Sequence, residues 1–314
     1  MSRIHEALKK AKQEKDTVET TGVEPVSLGG AVPSLDWKSG PPSDVADLSS
    51  SAFSAGPSAA DYLRFDDLRT RCAHPEWHLD PNVNVFFNPE LSEHCAEQFR
   101  TLRSRLYQIR AHQSLRTLLV TSALPGDGKT FVTSNLAQAI VRQPDRRVLM
   151  IDGDLRRARL HVPFGAPSSP GLAEYLRGEA DEIVAIQNGP DENLCLIAGG
   201  GEVADPSELL SNGRLKLLLD RMAPIFDWVI IDSPPCLPVA DASILADLCD
   251  GILMVVKAGV TPTEAAQRAR REIEKRAIVG VVLNSVAESH LQDSHYYGAY
   301  GYGNGYGESK NGRN

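Results

Sequence analysis

No stretch of this 314-residue chain is apolar for the roughly 18–20 residues that crossing a bilayer requires. The longest apolar run, GILMVV from Gly251 to Val256, has the length of a buried strand. A secretory leader is not expected either, because MSRIHEALKKAKQEK carries charge from its third residue and has no apolar h-region. Cysteine is sparse. Cys72, Cys95, Cys195, Cys236 and Cys249 are scattered without a CxxC pair, which excludes a zinc ribbon or disulfide framework and suits reduced thiols in the cytoplasm. Positive charge is in deficit, with 33 Lys and Arg against 41 Asp and Glu and a net charge of -8. That balance argues against nonspecific binding of nucleic acid or anionic lipid. Aromatic residues make up 6% of the chain, yet five of its 8 tyrosines crowd into HYYGAYGYGNGYGESK at 295–310.

What remains is ordinary for a globular core, at 42% hydrophobic and 24% charged. Four regions differ in composition. Residues 1–15 place Ile4, Ala7, Leu8 and Ala11 at helical spacing behind Ser2, with five basic residues against two acidic ones, and predict a short amphipathic helix. Residues 16–85 are rich in Ser, Pro, Gly and Asp without a sustained period, and read as a disordered linker. Residues 86–290 form the folded domain, and residues 291–314 form a flexible tyrosine-rich tail.

Within the domain, apolar runs at 117–123, 147–152, 193–199, 228–232, 251–256 and 278–284 alternate with helix-like segments. Among these segments are FVTSNLAQAIVRQ, PSELLSNGRLKLLLDRM and PTEAAQRARREIEKR. Continuously apolar strands between helices indicate an α/β fold: a doubly wound, mostly parallel sheet with helices on both faces. Ligands of such sheets bind at the carboxyl ends of the strands.

The first strand runs into ALPGDGKT and then a helix. This is the P-loop pattern with Ala123 in the first glycine position. Gly126, Asp127 and Gly128 present backbone N–H groups to phosphate oxygens, Lys129 adds a charge, and the Thr130 hydroxyl is suited to Mg²⁺. A second strand ends in VLMIDGDLRR, with Asp152, Asp154 and Arg156 at alternate positions. A third ends in DWVIIDSPP with Asp232 at its tip, followed by Asp241. Acids at the tips of neighbouring parallel strands can converge on one metal and one attacking group, whereas each taken alone could equally cap the next helix.

TSALPGDGKT, VLMIDGDLRR and DWVIIDSPPCLPVADA resemble the Walker A, A′ and B motifs of the bacterial tyrosine kinases, which control capsule and exopolysaccharide production. The likeness extends over most of residues 90–306, through GVVLN at 280–284 to the tyrosine cluster, and MSRIHEALKKA resembles stand-alone members of the family. It implies a P-loop protein-tyrosine autokinase using ATP and Mg²⁺. By position, Lys129, Asp152, Asp154 and Asp232 take the catalytic roles, with Thr130, Asp152 and Asp232 on the metal. Which aspartate is the base stays open. Arg156 is counted with the nucleotide-binding residues, and Asn284 is assigned to adenine by the resemblance alone. The rival is a Min/Par-type ATPase acting as a nucleotide-switched assembly factor. Its additional lysine, five residues before the P-loop lysine, is replaced here by Leu124, and it lacks a tyrosine-glycine tail.

The tail by itself is compatible with a sticky low-complexity segment or with stacked tyrosines at an edge of the fold. Beside a kinase site, Tyr296, Tyr297, Tyr300, Tyr302 and Tyr306 become substrates in trans, on a backbone that the interleaved glycines keep pliable. Upstream of the first strand, ELSEHCAEQFRTLRSRLYQIR predicts a helix with Leu91, Cys95, Phe99, Leu102 and Leu106 on its apolar side and Glu97, Arg100 and Arg103 on its polar side. The last three read either as surface ion pairs or, by resemblance, as contacts in a homo-oligomeric ring, with an octamer the size the family suggests. The resemblance further implies a separate transmembrane chain-length-determinant partner that recruits the chain to the inner face of the plasma membrane. Other proteins phosphorylated on tyrosine belong to the same expectation; nucleic acid does not.

Overall fold

The computed structural model describes residues 63–88, 93–274 and 276–286. The amphipathic N-terminal helix, most of the linker and all five tail tyrosines lie outside the described residues. Seven strands form one sheet: β1 (Thr117–Ser122), β2 (Val148–Asp152), β3 (Ile186–Asn188), β4 (Leu194–Ile197), β5 (Trp228–Asp232), β6 (Gly251–Lys257) and β7 (Ile278–Asn284). Their order is β3-β4-β2-β5-β1-β6-β7, and every pairing is parallel except the antiparallel β3–β4 edge. The chain leaves β1 for one side of the sheet, returns to insert β5 between β1 and β2, and then builds the other side. That reversal opens a crevice at the carboxyl ends of β1, β5 and β2.

All six expected strands are present. β3 was not anticipated, because three residues are too short to show a period. Alternate residues of the central strands feed two cores. Leu149, Ile151, Val229 and Ile231 point to one face, and Val148, Met150, Trp228 and Ile230 to the other. The second face is covered by α2 (Glu93–Arg110), through Phe99 and Leu106, and by α3 (Lys129–Val141), through Val132, Leu136 and Ile140. Covering the first face are α1 (Phe65–Arg71), α4 (Leu172–Arg177), α7 (Arg214–Met222), α8 (Asp241–Ala246) and α9 (Thr263–Glu272). The short α5 (Glu182–Ala185) and α6 (Pro206–Ser211) complete the connections.

Three expectations are corrected. The segment expected to continue as linker to residue 85 is folded from residue 63 and belongs to the domain. Phe65 meets Phe226 edge-on at 5.5 Å, Leu68 is fully buried, and Trp77 packs on Phe164 at 5.1 Å. Further along, Asn84 donates to the Asp80 and Pro163 carbonyls, and the Val85 amide donates to Asn135 of α3. These tertiary contacts order a segment whose composition has no period of its own. The expected helix over 206–222 is two helices, because Gly213 at φ 83° takes a left-handed conformation between α6 and α7. The strand β7 is not buried on both faces. As the last strand of the sheet it leaves Val281 58% and Leu283 63% exposed.

If the 63–88 segment is integral, Leu68→Ala should cost about 2–5 kcal/mol as a cavity in the core. The measurement is a urea melt, with a lowered midpoint at unchanged slope. A midpoint equal to wild type would return the segment to linker status.

Candidate active site

The P-loop hangs between the end of β1 and the first turn of α3. Ser122 Oγ donates to the Leu124 carbonyl at 2.8 Å, which starts the turn. Gly126 and Gly128, at φ 85° and 97°, take left-handed conformations that alternate the direction of successive N–H groups and form an anion-binding concavity. Gly128 has a second reason to lack a side chain: a Cβ there would come within 2.0 Å of Asn284 Nδ2. Thirteen residues of α3 follow, so the partial positive charge of its N-terminus adds to that of the Lys129 ammonium.

Asp127 is 2% exposed and turns its carboxylate away from the phosphate position. One oxygen accepts from the Leu124 amide at 3.2 Å and the other from Thr261 Oγ1 at 2.7 Å. Its carbonyl accepts from Asn284 Nδ2 at 2.9 Å. Asn284, assigned to adenine by resemblance, is therefore placed on the P-loop backbone. Only the Asp127 main chain is left to serve a nucleotide.

The parallel register sets Asp152 of β2 directly beside Asp232 of β5, and Val120 of β1 on the other side of Asp232. Both acids are buried, but their surroundings differ. Asp152 accepts from the Asp154 amide at 3.2 Å and the Leu160 amide at 2.8 Å, so both its oxygens hold the loop after β2. Burial, and next the charge of Asp232, raise its carboxyl well above the usual range. Asp232 accepts from Thr130 Oγ1 at 2.5 Å through Oδ2, while its buried Oδ1 has no partner. Burial pushes its carboxyl up to about 7, against the Thr130 hydrogen bond and the Lys129 charge and with help from Asp154. Asp154 is half-buried and gives one oxygen to the Arg157 amide at 3.1 Å. Burial raises it as well, opposed by that hydrogen bond and by Lys129.

An orphaned carboxylate oxygen beside a hydroxyl, at the phosphate end of a P-loop, fits a hard cation with oxygen ligands. Among the described residues no three His, Cys, Asp or Glu side chains could cage an ion by themselves. That also fits, since Mg²⁺ commonly takes one or two protein oxygens and completes its shell with phosphate and water. Thr130 and Asp232 meet this requirement directly. Asp152, expected as a ligand, has both oxygens engaged by amides.

Four further expected residues sit elsewhere. The Arg156 guanidinium forks onto Asp241, Nε to Oδ2 at 2.7 Å and Nη2 to Oδ1 at 3.1 Å, with Ser207 joined to the same pair. Burial favours a raised carboxyl at Asp241, but the Arg156 and Ser207 hydrogen bonds outweigh it and hold it below the usual range. On α2, Glu97 and Arg100 pair at 3.0 Å on the exposed surface, whereas Arg103 donates to the Ala139 carbonyl near the end of α3. Sequence reasoning missed Thr261; its TPTE context signals a helix start and gives no hint of a contact with the P-loop.

No family model matches the chain. Over 217 residues it is 32% identical to the tyrosine-protein kinase YwqD of Bacillus subtilis, covering 68% of this chain and 91% of that protein. To the tyrosine-protein kinase etk of Escherichia coli K12 it is 32% identical over 228 residues, which is 70% of this chain but only 31% of the relative's length. The solved kinase domain of Escherichia coli ETK superposes with a TM-score of 0.58 at 35% identity, over 61% of this chain and 75% of that one. Identity at this level across nine-tenths of a relative reaches beyond a shared fold: the chain belongs to the family of bacterial tyrosine kinases.

Proposed function

We propose that the chain binds Mg-ATP at the P-loop and transfers the γ-phosphoryl group to the tail tyrosines of a neighbouring copy. The observation that carries this reading is the buried, unpartnered Oδ1 of Asp232 beside the Thr130 hydroxyl. A buried carboxylate oxygen without a protein partner carries a cost that a bound cation removes. Mg²⁺, when bound there with the nucleotide, neutralises charge on the β- and γ-phosphates. Thr130 and Asp232 hold it, the amides of Gly126 to Thr130 cradle the phosphates, and Lys129 stabilises the charge that develops as the bond to ADP breaks.

The tyrosine hydroxyl oxygen forms the new bond to phosphorus as the bond to the β–γ bridging oxygen breaks, and its proton must go to a base. Asp154 is the best placed of the three acids. It is half-buried, gives one oxygen to the Arg157 amide, and has a carboxyl that burial raises above its usual range. Asp152 is a positioning residue that shapes the Asp154 turn. Family membership favours this reading over a nucleotide-switched assembly factor. As the resemblance implies, the proposed role is control of exopolysaccharide polymerisation and export, in a ring recruited to the membrane by a separate transmembrane partner. Among the described residues no helix is long and apolar enough to cross a membrane.

Lys129→Met should remove phosphotyrosine by about 10²–10³-fold or more while leaving the fold intact. Mixed with a chain lacking residues 291–314, the Lys129→Met chain should nonetheless become labelled between Tyr296 and Tyr306. Label confined to Tyr62, Tyr107 or Tyr175 by mass spectrometry would overturn the substrate assignment.

The acids add a pH dependence with a definite sign. Asp232 ordinarily titrates near 3.8 and is raised to about 7 in the fold, so between those values the folded state keeps a proton that the unfolded chain has lost. Its contribution to stability is present below 3.8 and is lost as the pH rises to about 7. Asp152 acts in the same direction. A cation competes with that proton. Mg-ADP should therefore raise the melting temperature more at pH 8 than at pH 6; an equal or smaller gain at pH 8 would remove Asp232 from the metal site.

The arginine helix divides by role. Replacing Glu97 and Arg100 with alanine should disperse the ring at unchanged thermal stability, because both lie on the surface. Arg103→Ala should instead lower the melting temperature by freeing the Ala139 carbonyl. Light scattering and thermal melts of the two variants test this, and a ring that survives the first substitution excludes that face as the contact.

A further inference from the structure

We propose that Thr261 is a positioning residue for the nucleotide phosphates, acting through Asp127; the inference rests on the P-loop reading above. Thr261 closes the turn that follows β6. Its amide donates to the Lys257 carbonyl at 3.0 Å, and its hydroxyl accepts from the Lys257 amide at 3.0 Å. The same hydroxyl donates to Asp127 Oδ1 at 2.7 Å, so the donor and an acceptor position of the hydroxyl are both in use. Asp127 stands between the two glycines whose left-handed conformations shape the phosphate cradle. Its other oxygen closes the loop on the Leu124 amide.

The brace has a second arm. Lys257 and Asn284 are register partners at the ends of β6 and β7, and the Ala258 amide donates to the Asn284 carbonyl at 2.9 Å. Asn284 in turn donates its side-chain amide to the Asp127 carbonyl. The P-loop is thus held from the far edge of the sheet at both the side chain and the main chain of one residue. Phosphate binding by backbone N–H groups depends on their direction, which these contacts set before any ligand arrives. Valine at 261 would keep the shape of threonine, but it would leave a buried carboxylate oxygen and the Lys257 amide without this partner.

The test is titration of Mg-ADP into the full-length chain and its variants. Thr261→Val should weaken binding by about tenfold, the scale of one charge-assisted hydrogen bond lost at a buried acid, and Thr261→Ser should stay within about twofold of wild type. In the Asp127→Ala background, which removes the acceptor through which Thr261 acts, Thr261→Val should add little. Wild-type affinity in Thr261→Val, equal losses in the Val and Ser variants, or losses that multiply in the double variant would each overturn the proposal. A wild type that binds no Mg-ADP would overturn the P-loop reading and this inference with it. A wild type that binds Mg-ADP but makes no phosphotyrosine would overturn only the kinase assignment, and the affinities would still decide the role of Thr261.

Discussion

The insertion of β5 between β1 and β2 is the constraint from which the site follows. Parallel pairing puts the carboxyl ends of all three strands at one edge, and the register sets Asp232 level with Asp152 on one side and one step from the P-loop on the other. No loop has to reach far to assemble the site. The strands are buried on both faces, so their registers are strongly specified: a slip of one residue would swap Trp228 and Ile230 with Val229 and Ile231 between two different cores. Catalytic geometry is in this sense a by-product of core packing. The thirteen residues of α3 repeat the arrangement by packing Leu136 and Ile140 beneath the sheet while presenting Lys129 and Thr130 at its edge.

Burying acids at that edge raises a problem that the chain answers in two ways. Asp152 is satisfied internally, by two amides of the loop it organises. Asp232 is only half satisfied, by one hydroxyl, and its remaining oxygen is buried without a partner. The difference between the two acids lies in the backbone that follows each strand. After β2 the chain turns back over Asp152, whereas after β5 it runs on through Pro234 and Pro235, neither of which has a backbone N–H to donate. Local destabilisation at the site is thus written into the loop sequence.

Much of this was legible beforehand. The six longer strands are continuous apolar runs, and the P-loop and the acids at the strand ends are local patterns in sequence order. What could not be read depends on partners distant along the chain. Trp77 and Val85 sit in a polar, aperiodic stretch and are ordered by partners far away in sequence, among them Phe164 and Gln187 for Trp77 and Asn135 for Val85. Arg156 follows the A′ acids and invites a reading as a nucleotide ligand, but it is captured by Asp241, 85 positions later. Asn284 was placed at the right end of the right strand; its bond to Asp127, across 157 positions, has no local signature.

The E-x-x-R-x-x-R spacing shows how a motif on one helix divides its work. Three residues advance an α-helix by about 300°, so each step of the motif falls about 60° short of a full turn. Arg100 therefore stays close to the face of Glu97, near enough to pair with it on the surface. Arg103 has drifted about 120° from Glu97, which brings it round toward α3 and onto the Ala139 carbonyl. There it meets the negative end of the helix that begins at the P-loop, a favourable place for a guanidinium. The motif thus contains a surface pair and a brace in one sequence. A partner subunit reading the exposed pair would do so on a helix whose third motif residue is anchored to the C-terminal end of the helix that begins at the P-loop.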